Sequence, residues 1–565
     1  MCRRVSLENP GRWLLAAGRL TSLLLWIITA YLFGVAVKAM TGSWAFGIAA
    51  QVLSFSMLST LVIEPMHPGA LLCALVAALL TNVVWLRPRM PAVSDALTGA
   101  AAAALLLTKV NVGLFALVAL VFAVSQLARQ RWWQWMGAAV LLAFGPALLL
   151  ANGHEPWRLL WSAVYVTGTA SVIIASRLYD DGDRGPRNFG LRQMATGFGV
   201  VATITVATTI ATGTHVTSLI RGAFLRPLDH PHLVTIPLQL PTAAWAWLLV
   251  IPVALVLAHR WPTSTPSRRT IAISGGCRVA GGLALMIAVL GPLPHIFLMY
   301  QAADTRFAML PLAALVLIPR LSPTAPTTDV LGRRFLAAFA FTTSLHAYPA
   351  PGSQVSWSLV VAGIAGVVTI ADGVAELNSL APNRAYERWA AFAGAMTCVV
   401  VVLVIPYGLR HPNPGPGGQF RGWQAAYARQ RPLDLPGTGW IRPPGTQRGV
   451  ILKTLPVLRR ECSDIITLTP SLEWYVLADR RPPTGFNQPN WPAYLDDREQ
   501  RAVIAALRRS PRVCLVLDPF TAGFSNGRVF THSRFEPRRL VGYLEARRWA
   551  LLSRAGDVTV LRALR

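Results

Sequence analysis

The fold class is decided by residues 69–86, which read GALLCALVAALLTNVVWL and contain no charged side chain. A helix needs about 20 predominantly apolar residues to cross the hydrocarbon core of a bilayer, so this run predicts a membrane span. Similar runs recur from about residue 13 to residue 407, and we predict about 14 crossings. The predicted spans are 13–36, 44–63, 69–86, 96–108, 112–128, 134–151, 159–176, 194–212, 243–259, 280–297, 307–319, 334–347, 356–375 and 389–407.

The composition excludes a wholly soluble protein. Hydrophobic residues make up 53% of the 565 residues and charged residues only 14%, whereas a soluble domain carries about 25% charge. The 44 glycines and 41 prolines follow no repeat period, which excludes a fibrous chain. The net charge of +27 comes almost entirely from arginine, because only Lys38, Lys109 and Lys453 are lysines. We expect no nucleic-acid partner, since no basic face with interleaved aromatics stands apart from the hydrophobic spans.

The character of the chain changes after Pro406, where residues 411–418 read HPNPGPGG and cannot continue a helix. We therefore predict a mainly α protein with two domains, a polytopic transmembrane domain over residues 1–407 and a small α/β domain over residues 408–565. Several predicted spans are too short to cross a bilayer alone, which indicates broken or re-entrant helices. Such backbone needs protein or a water-filled cavity around it. The shortest predicted spans are 96–108 and 307–319.

Basic residues in the loops predict the orientation. One set of alternate loops carries 18 of them, including Arg278, Arg320, Arg333 and Arg334, and the other set carries 5, including Lys109. The positive-inside rule places the richer set in the cytoplasm, so the domain after residue 407 is expected to be extracytoplasmic. The N-terminus is then also outside, which Arg3 and Arg4 fit poorly. We expect either that the span count is off by one or that a first helix upstream of Met1 is missing.

The region after residue 407 reads as a small α/β unit of two or three layers. A helix is predicted at 497–510, with Asp497 as its N-cap, and a second at 536–548. Cys462 and Cys514 lie in or beside predicted strands, so outside the cytoplasm they can form a disulfide; two buried free cysteines are the alternative. The predicted strands are 449–454, 465–469, 474–478, 513–518, 549–554 and 557–563.

Two outer loops carry the strongest candidate site residues, because ionisable groups in membrane spans are costly and often functional. Glu64 and His67 lie in the turn IEPMHPG, residues 63–69. Together they fit a general base, a metal site or a phosphate site, and otherwise they belong to a solvated turn. Lys109 lies beside Asn111 in LLLTKVNVGLFAL, residues 105–117. It can meet a phosphate or carboxylate as a point charge, or it can snorkel to the interface.

Three further outer segments carry weaker candidates. Asp304 and Arg306 lie in LMYQAADTRFAML, residues 298–310, where they close a loop as a salt bridge or where Arg306 binds an anionic head group. A histidine, a phenol and an amide share residues 344–357, SLHAYPAPGSQVSW, and they could line a sugar site or simply pack the loop. The weakest segment is GTHVTSLIRG, residues 213–222. The candidates in the last two segments are His346, Tyr348, Gln354, His215 and Arg221.

Many spans, broken helices, polar outer loops and an outer α/β domain resemble the GT-C superfamily, membrane glycosyltransferases that take sugars from polyprenyl-phosphate donors. The resemblance lies in IEPMHPG, LTKVNVGLFAL, DTRFAMLPLAALV and SLHAYPAPGSQ, and in EWYVLADRRPPTGFNQPNW of the C-terminal region. In that superfamily the catalytic carboxylate usually lies in the first outer loop. This chain is expected to begin just beyond that point, so either Glu64 serves in its place or the chain lacks its principal catalytic residue.

The resemblance implies an inverting transfer in the cell membrane, from a polyprenyl-phosphate sugar to a glycan, lipid or protein acceptor. Glu64 and His67 would be catalytic, and the donor phosphate would be bound by Lys109, Arg306 and Arg221. No cofactor is certain, and although a divalent metal would be compatible with the reaction, no ligand set for one is visible. The residues implied to bind substrate are Asn111, Asp304, His346, Tyr348, Gln354 and Trp357.

Two alternatives stay open on the sequence. A transporter or flippase of a lipid-linked molecule also needs broken helices and buried charges. Internal inverted repeats would favour it, and none is visible. A catalytically inactive scaffold, with the C-terminal domain as a binding module, is the second alternative.

Overall fold

The structure is a computed structural model, in which two compact units are distinguished. One, here called the bundle, comprises residues 17–228 and 237–422; the other, the C-terminal unit, comprises residues 423–565 with 1–16 and 229–236. The predicted boundary at residues 407 and 408 lies outside the described residues and stays a prediction. The structure describes residues 10–59, 61, 67–151, 153–177, 190–225, 237–238, 240–246, 266–290, 305–321, 330–349, 354–380, 388, 392–397, 429–435, 438, 441–443, 445–467, 473–480, 483–484, 495–517 and 538–564.

Helices alone form the described part of the bundle. They are α1 (Pro10–Thr41), α2 (Trp44–Leu58), α3 (Pro68–Thr81), α4 (Pro91–Thr108), α5 (Val110–Ser125), α6 (Arg131–Leu150), α7 (Pro156–Ser176), α8 (Leu191–Ala211), α9 (Val216–Ile220), α10 (Arg268–Leu290), α11 (Thr305–Ala308), α12 (Val330–Ser344), α13 (Gln354–Ser358) and α14 (Val360–Asn378). Asn82–Leu86 and Arg221–Leu225 are π-helical turns, and Thr242–Ala246, Leu310–Leu317 and Leu345–Ala347 are 3-10 turns.

Within the described ranges, eight helices are long and apolar enough to cross a membrane, which confirms a polytopic helical membrane bundle. They are Ala17–Thr41, Pro68–Leu86, Pro91–Thr108, Arg131–Leu150, Pro156–Ser176, Leu191–Ala211, Arg268–Leu290 and Val360–Asn378. Trp44–Leu58, Val110–Ser125 and Arg306–Leu317 are shorter apolar helices. The last of these is broken, as expected for span 307–319, because α11 passes into a 3-10 turn. Most of the predicted spans 243–259 and 389–407 lies outside the described residues.

Two predicted spans begin too late, and the one predicted at 280–297 is α10, which already begins at Arg268. The span predicted at 96–108 is the 18-residue helix α4, which begins at Pro91. Its first turns are polar, but they are buried against the end of α3. Asn82 donates hydrogen bonds to the Ser94 carbonyl oxygen and to the Thr98 hydroxyl, and Asp95 pairs with Arg87 at 3.3 Å. These partners satisfy the polar groups, so the helix is longer than its apolar run.

A network of buried charges lies at one end of the bundle, near the start of α12. Asp372 on α14 is fully buried and accepts hydrogen bonds from Arg320 at 2.8 and 2.5 Å and from Arg333. Arg278 on α10 lies 3.9 Å from Asp372 and 3.3 Å from Glu376, one turn further along α14. Three arginines of the loops counted as cytoplasmic therefore meet two carboxylates of one helix.

We predict that Asp372→Asn lowers the free energy of unfolding by about 3–5 kcal/mol, because it leaves buried guanidinium groups without their shared carboxylate. Thermal unfolding of the purified protein in detergent, followed by tryptophan fluorescence, measures the loss. Asp434→Asn is the matched control: Asp434 forms an exposed ion pair with Arg448 at 2.7 Å, and such pairs contribute about 0–1 kcal/mol. Equal effects of the two substitutions would contradict a stabilising role for the network.

The described residues of the C-terminal unit form a four-stranded sheet with helices on both faces. Its elements are α15 (Gly445–Glu461), β1 (Asp464–Thr467), α16 (Glu473–Ala478), α17 (Asp497–Arg509), β2 (Val513–Leu517), α18 (Arg538–Glu545), β3 (Trp549–Ala555) and β4 (Val558–Ala563). The strand order is β1-β2-β4-β3; β1 and β2 are parallel, and the other two pairs are antiparallel. Ile465, Cys514 and Val516 face one apolar core with α15 and α16, whereas Ile466 and Leu515 face another with α17 and α18. The unit therefore has three layers.

Two predicted strands and one cap are wrong. Residues 449–454 belong to α15, where Thr454, Leu455 and Leu458 form a buried stripe at helical spacing. Residues 474–478 belong to α16. The N-cap of α17 is Asp496 rather than Asp497: its carboxylate accepts the Glu499 N–H, and the Glu499 carboxylate accepts the Asp496 N–H.

A disulfide joins Cys462, directly after α15, to Cys514 on β2. Both cysteines are fully buried, and the bond closes a segment of 52 residues. Of the two sequence alternatives, the structure has the disulfide. The bond ties α15 to the centre of the sheet.

Replacing both Cys462 and Cys514 by Ala is expected to destabilise the C-terminal unit by about 4 kcal/mol, because the unfolded loop is no longer constrained. Limited proteolysis of the intact protein measures this as faster cleavage after residue 422. Cys277→Ser is the control, since Cys277 is free and exposed. Unchanged cleavage in the double variant would show that the bond contributes nothing to the stability of the unit.

Candidate functional site

Five side chains from four places in the chain form one cluster in the bundle. His67 is the N-cap of α3, Lys109 is the single residue between α4 and α5, and Asn111 lies in the first turn of α5. His346 lies in the 3-10 turn after α12, and Trp357 lies in α13. We call these five residues the lysine–histidine cluster. It lies at the opposite end of α12 from Arg333 and hence from the network around Asp372.

The backbone reverses at Lys109. Its φ of −156° and ψ of 107° are extended, and they interrupt the helix between Thr108 and Val110. Gly113 on α5 then packs directly on the backbone of Leu106 on α4, where a Cβ atom would clash. The close approach of α4 and α5 holds the Lys109 amine inside the protein at this reversal. Lys109 lies outside both helices, and burial lowers the pKa of its amine to about 8.

His346 joins the two sides of the cluster by hydrogen bonds. The Lys109 Nζ atom lies 3.1 Å from His346 Nε2, and the Asn111 Nδ2 atom lies 3.2 Å from His346 Nδ1. Asn111 Oδ1 accepts the Val112 N–H at 3.0 Å. Because His346 is buried and contacts both ends of this segment, its imidazole holds the α4–α5 reversal against the end of α12.

Trp357 covers the cluster. Its ring centre lies 4.2 Å from that of His346 and 6.5 Å from that of His67, and the Lys109 Nζ atom lies 5.9 Å from it, in cation–π range. The indole is buried, and its Nε1 has no hydrogen-bond partner among the described residues. A Cβ at Gly69 would lie 2.9 Å from this nitrogen, so the start of α3 needs a glycine there. The buried N–H is therefore a donor available to a ligand.

A second group adjoins the cluster two residues after His346. The Tyr348 hydroxyl lies 3.4 Å from the Arg158 guanidinium, and Arg158 pairs with Glu155 at 2.7 Å. The ring centres of Trp157 and Trp161 lie 6.3 and 6.4 Å from that of Tyr348. The sequence interpretation left out Arg158, although the spacing of Glu155 and Arg158 by three residues at a helix start is a recognisable ion-pair signal.

The other predicted site residues lie in different parts of the bundle or outside the described residues. Arg306 is buried, and the ring of the next residue, Phe307, packs on that of Trp161 with centres 5.5 Å apart. Gln354 begins α13 and is half-buried. Arg221 is exposed at the start of a π-helical turn, and no described contact brings it to the cluster. Glu64 and Asp304 lie outside the described residues. The roles of all these residues stay predictions.

The described part of the cluster contains a basic amine and no carboxylate. Over the ranges that the structure covers, no carboxylate pairs with Lys109, and no three His, Cys, Asp or Glu side chains group closely enough to hold a metal ion. A buried amine and indole with free donor capacity suit an anion better than a cation.

The comparisons with known proteins give little. No protein-family model and no curated protein matches the chain. Among solved structures, it is similar to the archaeal oligosaccharyltransferase AglB from Archaeoglobus fulgidus, in complex with an inhibitory peptide and a dolichol-phosphate, with 11% identity and a TM-score of 0.29. The match covers 98% of this chain and 63% of that chain, so the chain spans less than two thirds of the length of AglB. A likeness this weak carries no argument about the site.

Arg158→Met is expected to lower the free energy of unfolding by about 1.5–3 kcal/mol, because Arg158 hydrogen-bonds to a charged partner. Lys109→Met is expected to change it by less than about 1 kcal/mol, because it removes both the cost of burying the amine and the partner of the His346 Nε2 atom. Thermal unfolding in detergent measures both. A loss in Lys109→Met as large as that in Arg158→Met would indicate that the lysine is a structural residue.

Proposed function

We propose that this chain is a membrane glycosyltransferase that moves a sugar from a polyprenyl-phosphate donor to an acceptor hydroxyl. The observation that carries the proposal is the partly buried Lys109, held against His346 and Trp357 with no carboxylate partner in the described part of the chain. Holding an amine in such a site costs free energy, and a bound phosphate would repay that cost.

The donor phosphate would bind at Lys109. A lysine ammonium acts as a point charge with three donors, which suits a phosphate whose position along a lipid varies slightly. When the bond between the sugar and the phosphate breaks, its electron pair stays on the phosphate oxygen. Lys109 would stabilise that developing charge, and the buried Arg306 is proposed as a second cation for it.

The sugar would lie against the aromatic residues that adjoin Lys109. Trp357 and Tyr348 would lie beside the bound phosphate, and Trp157 and Trp161 extend the aromatic surface beyond Tyr348. Aromatic rings offer apolar faces to sugar C–H groups, while the Tyr348 hydroxyl and the Trp357 N–H offer polar contacts at their edges. The same side chains would therefore orient the anomeric carbon.

Glu64 is proposed as the general base. It precedes His67 of the cluster by three residues, so the covalent chain keeps the Cα atoms of Glu64 and His67 within about 11 Å of each other. Its carboxylate would accept the proton of the acceptor hydroxyl as the oxygen attacks the anomeric carbon, and the phosphate would leave from the opposite face. Inversion at that carbon follows from this single displacement.

Lys109→Met should lower sugar transfer by about 100-fold, since it removes one charged donor from the leaving group. Glu64→Gln should lower it by about 100-fold or more, since it removes the base. Transfer is measured with the full chain in proteoliposomes, as loss of radiolabelled sugar from a panel of undecaprenyl-phosphate monosaccharides. Lys38→Met is the matched control, because Lys38 lies in the last turn of α1, whose end contacts Arg333 at the opposite end of the bundle.

Three outcomes would contradict the proposal. Equal transfer by Lys109→Met and Lys38→Met would remove Lys109 from the donor site. Full activity of Glu64→Gln would exclude Glu64 as the base. Labelled lipid that crosses the membrane with its sugar–phosphate bond intact would indicate a flippase instead.

A further inference from the structure

The hydrogen bonds around Asn111 determine which nitrogen of His346 carries a proton. Asn111 Oδ1 accepts the Val112 N–H, one of the unpaired amides in the first turn of α5. The amide group of Asn111 is therefore oriented with Nδ2 toward His346 Nδ1, at 3.2 Å. An amide nitrogen only donates, so Nδ1 must be the acceptor. His346 is then a neutral imidazole with its proton on Nε2.

That proton points at Lys109. His346 Nε2 and Lys109 Nζ are 3.1 Å apart, and an ammonium group offers only donors. An ammonium facing the Nε2–H would place two donors against each other. A neutral amine accepts the Nε2–H instead and satisfies both groups. Burial of Lys109 favours the same uncharged form.

A phosphate oxygen changes this balance. When an anion lies between the two nitrogens, the His346 Nε2–H and a Lys109 N–H can both donate to it, and the charged form of the lysine becomes the better partner. The buried Trp357 N–H, which has no partner among the described residues, is available as a third donor at the same site. His346 therefore keeps the same neutral tautomer, with its proton on Nε2, before and after the phosphate binds.

We propose that at alkaline pH Lys109 is a neutral amine in the free site and takes up one proton from solvent when a phosphate monoester binds. The inference rests on the proposed function, since it concerns the site assigned to the donor phosphate. The lipid would thus create the charge that later stabilises its own phosphate as a leaving group. A vacant site would avoid the cost of an unpaired buried cation.

Other charged and titratable groups near Lys109 are few. His346 faces it from the end of α12, and His67 lies behind Trp357 at the start of α3. Arg158 and Glu155 form their own ion pair at the start of α7, beyond Tyr348. Glu64 precedes His67 in the sequence. A proton taken up on binding could therefore also go to a histidine, which the variants below distinguish.

The test is titration calorimetry of the full chain in detergent micelles with farnesyl phosphate, in two buffers of different ionisation enthalpy. The difference in binding heat gives the number of protons taken up.

We expect close to one proton at pH 9, falling toward zero as the pH drops below about 7. The sign follows from the lowered pKa of about 8: above it free Lys109 is neutral and must gain a proton, whereas well below it Lys109 is already charged. Above pH 8, affinity should weaken about tenfold per pH unit.

Two variants test whether Lys109 is the group. Lys109→Arg keeps a cation that cannot lose its proton, so uptake at pH 9 should vanish while binding persists. Asn111→Asp keeps an acceptor for the Val112 N–H, and its carboxylate also accepts a hydrogen bond from a proton on His346 Nδ1. His346 Nε2 then accepts from a charged Lys109, and uptake should again vanish. Uptake that persists in Lys109→Arg would assign the proton to another group and overturn the inference.

The outcomes separate this inference from the proposed function. Farnesyl phosphate binding without proton uptake in the unmodified chain would overturn the coupling and leave sugar transfer standing. Proton uptake without transfer from any sugar donor would leave the coupling standing and overturn the glycosyltransferase proposal. Inorganic phosphate serves as the second probe: binding as tight as that of farnesyl phosphate would overturn a lipid phosphate as the ligand.

Discussion

The Asp372 carboxylate accepts hydrogen bonds from Arg320 and Arg333 and lies near Arg278, and much of the bundle is organised around this contact. The three arginines come from α10, from the segment after the 3-10 turn Leu310–Leu317 and from α12. Each would be costly in an apolar bundle alone, and a shared buried carboxylate makes them tolerable together. The contact therefore determines how these segments meet at one end, and α12 carries that constraint to the other end.

The two ends of α12 differ in how they treat positive charge. At one end of α12, Arg278, Arg320 and Arg333 lie beside the Asp372 carboxylate, whereas at the other end the described neighbours of Lys109 are an imidazole and an indole. Arg158, which contacts Tyr348, has its own carboxylate in Glu155. Lys109 thus differs from these four arginines in having only neutral neighbours among the described residues. That difference is the physical reason for assigning the ligand to Lys109 rather than to these four arginines.

The sequence predicted the local features well and the long-range ones poorly. Apolar runs located most helices because a span needs length and few charges, and VCLVLD located β2 because β-branched residues were bounded by polar ones. The strand predicted at 449–454 is wrong because the prediction considered its β-branched residues alone. It ignored the buried stripe at helical spacing that continues to Leu458. Lys109 could be singled out as a rare lysine between apolar segments. Its contact with His346, 237 residues further on, depends on helix packing, which no local pattern contains.

Asp372 and Glu376 were missed for a related reason. They lie four residues apart near the end of an otherwise apolar span, a visible signal, but their partners come from three distant segments. Had the pair been considered, the intramembrane carboxylates would have suggested a functional site by default. In the structure both carboxylates instead pair with buried arginines, so we assign them a stabilising role rather than a functional one.

The helix ends that form the lysine–histidine cluster fit the proposed transfer from a lipid to an acceptor. His67, Lys109 and His346 each lie at a helix end, and His346 is 13 residues from Arg333, about 20 Å along a helix. The hydrocarbon core is about 30 Å thick, so with Arg333 at one head-group layer the cluster would lie about 10 Å below the other. A phosphate bound there would keep its lipid tail in the membrane, and the acceptor would have to enter from the aqueous side. Transporters also bind their substrates near the midplane, so the two functions are separated by whether the sugar–phosphate bond breaks at the cluster.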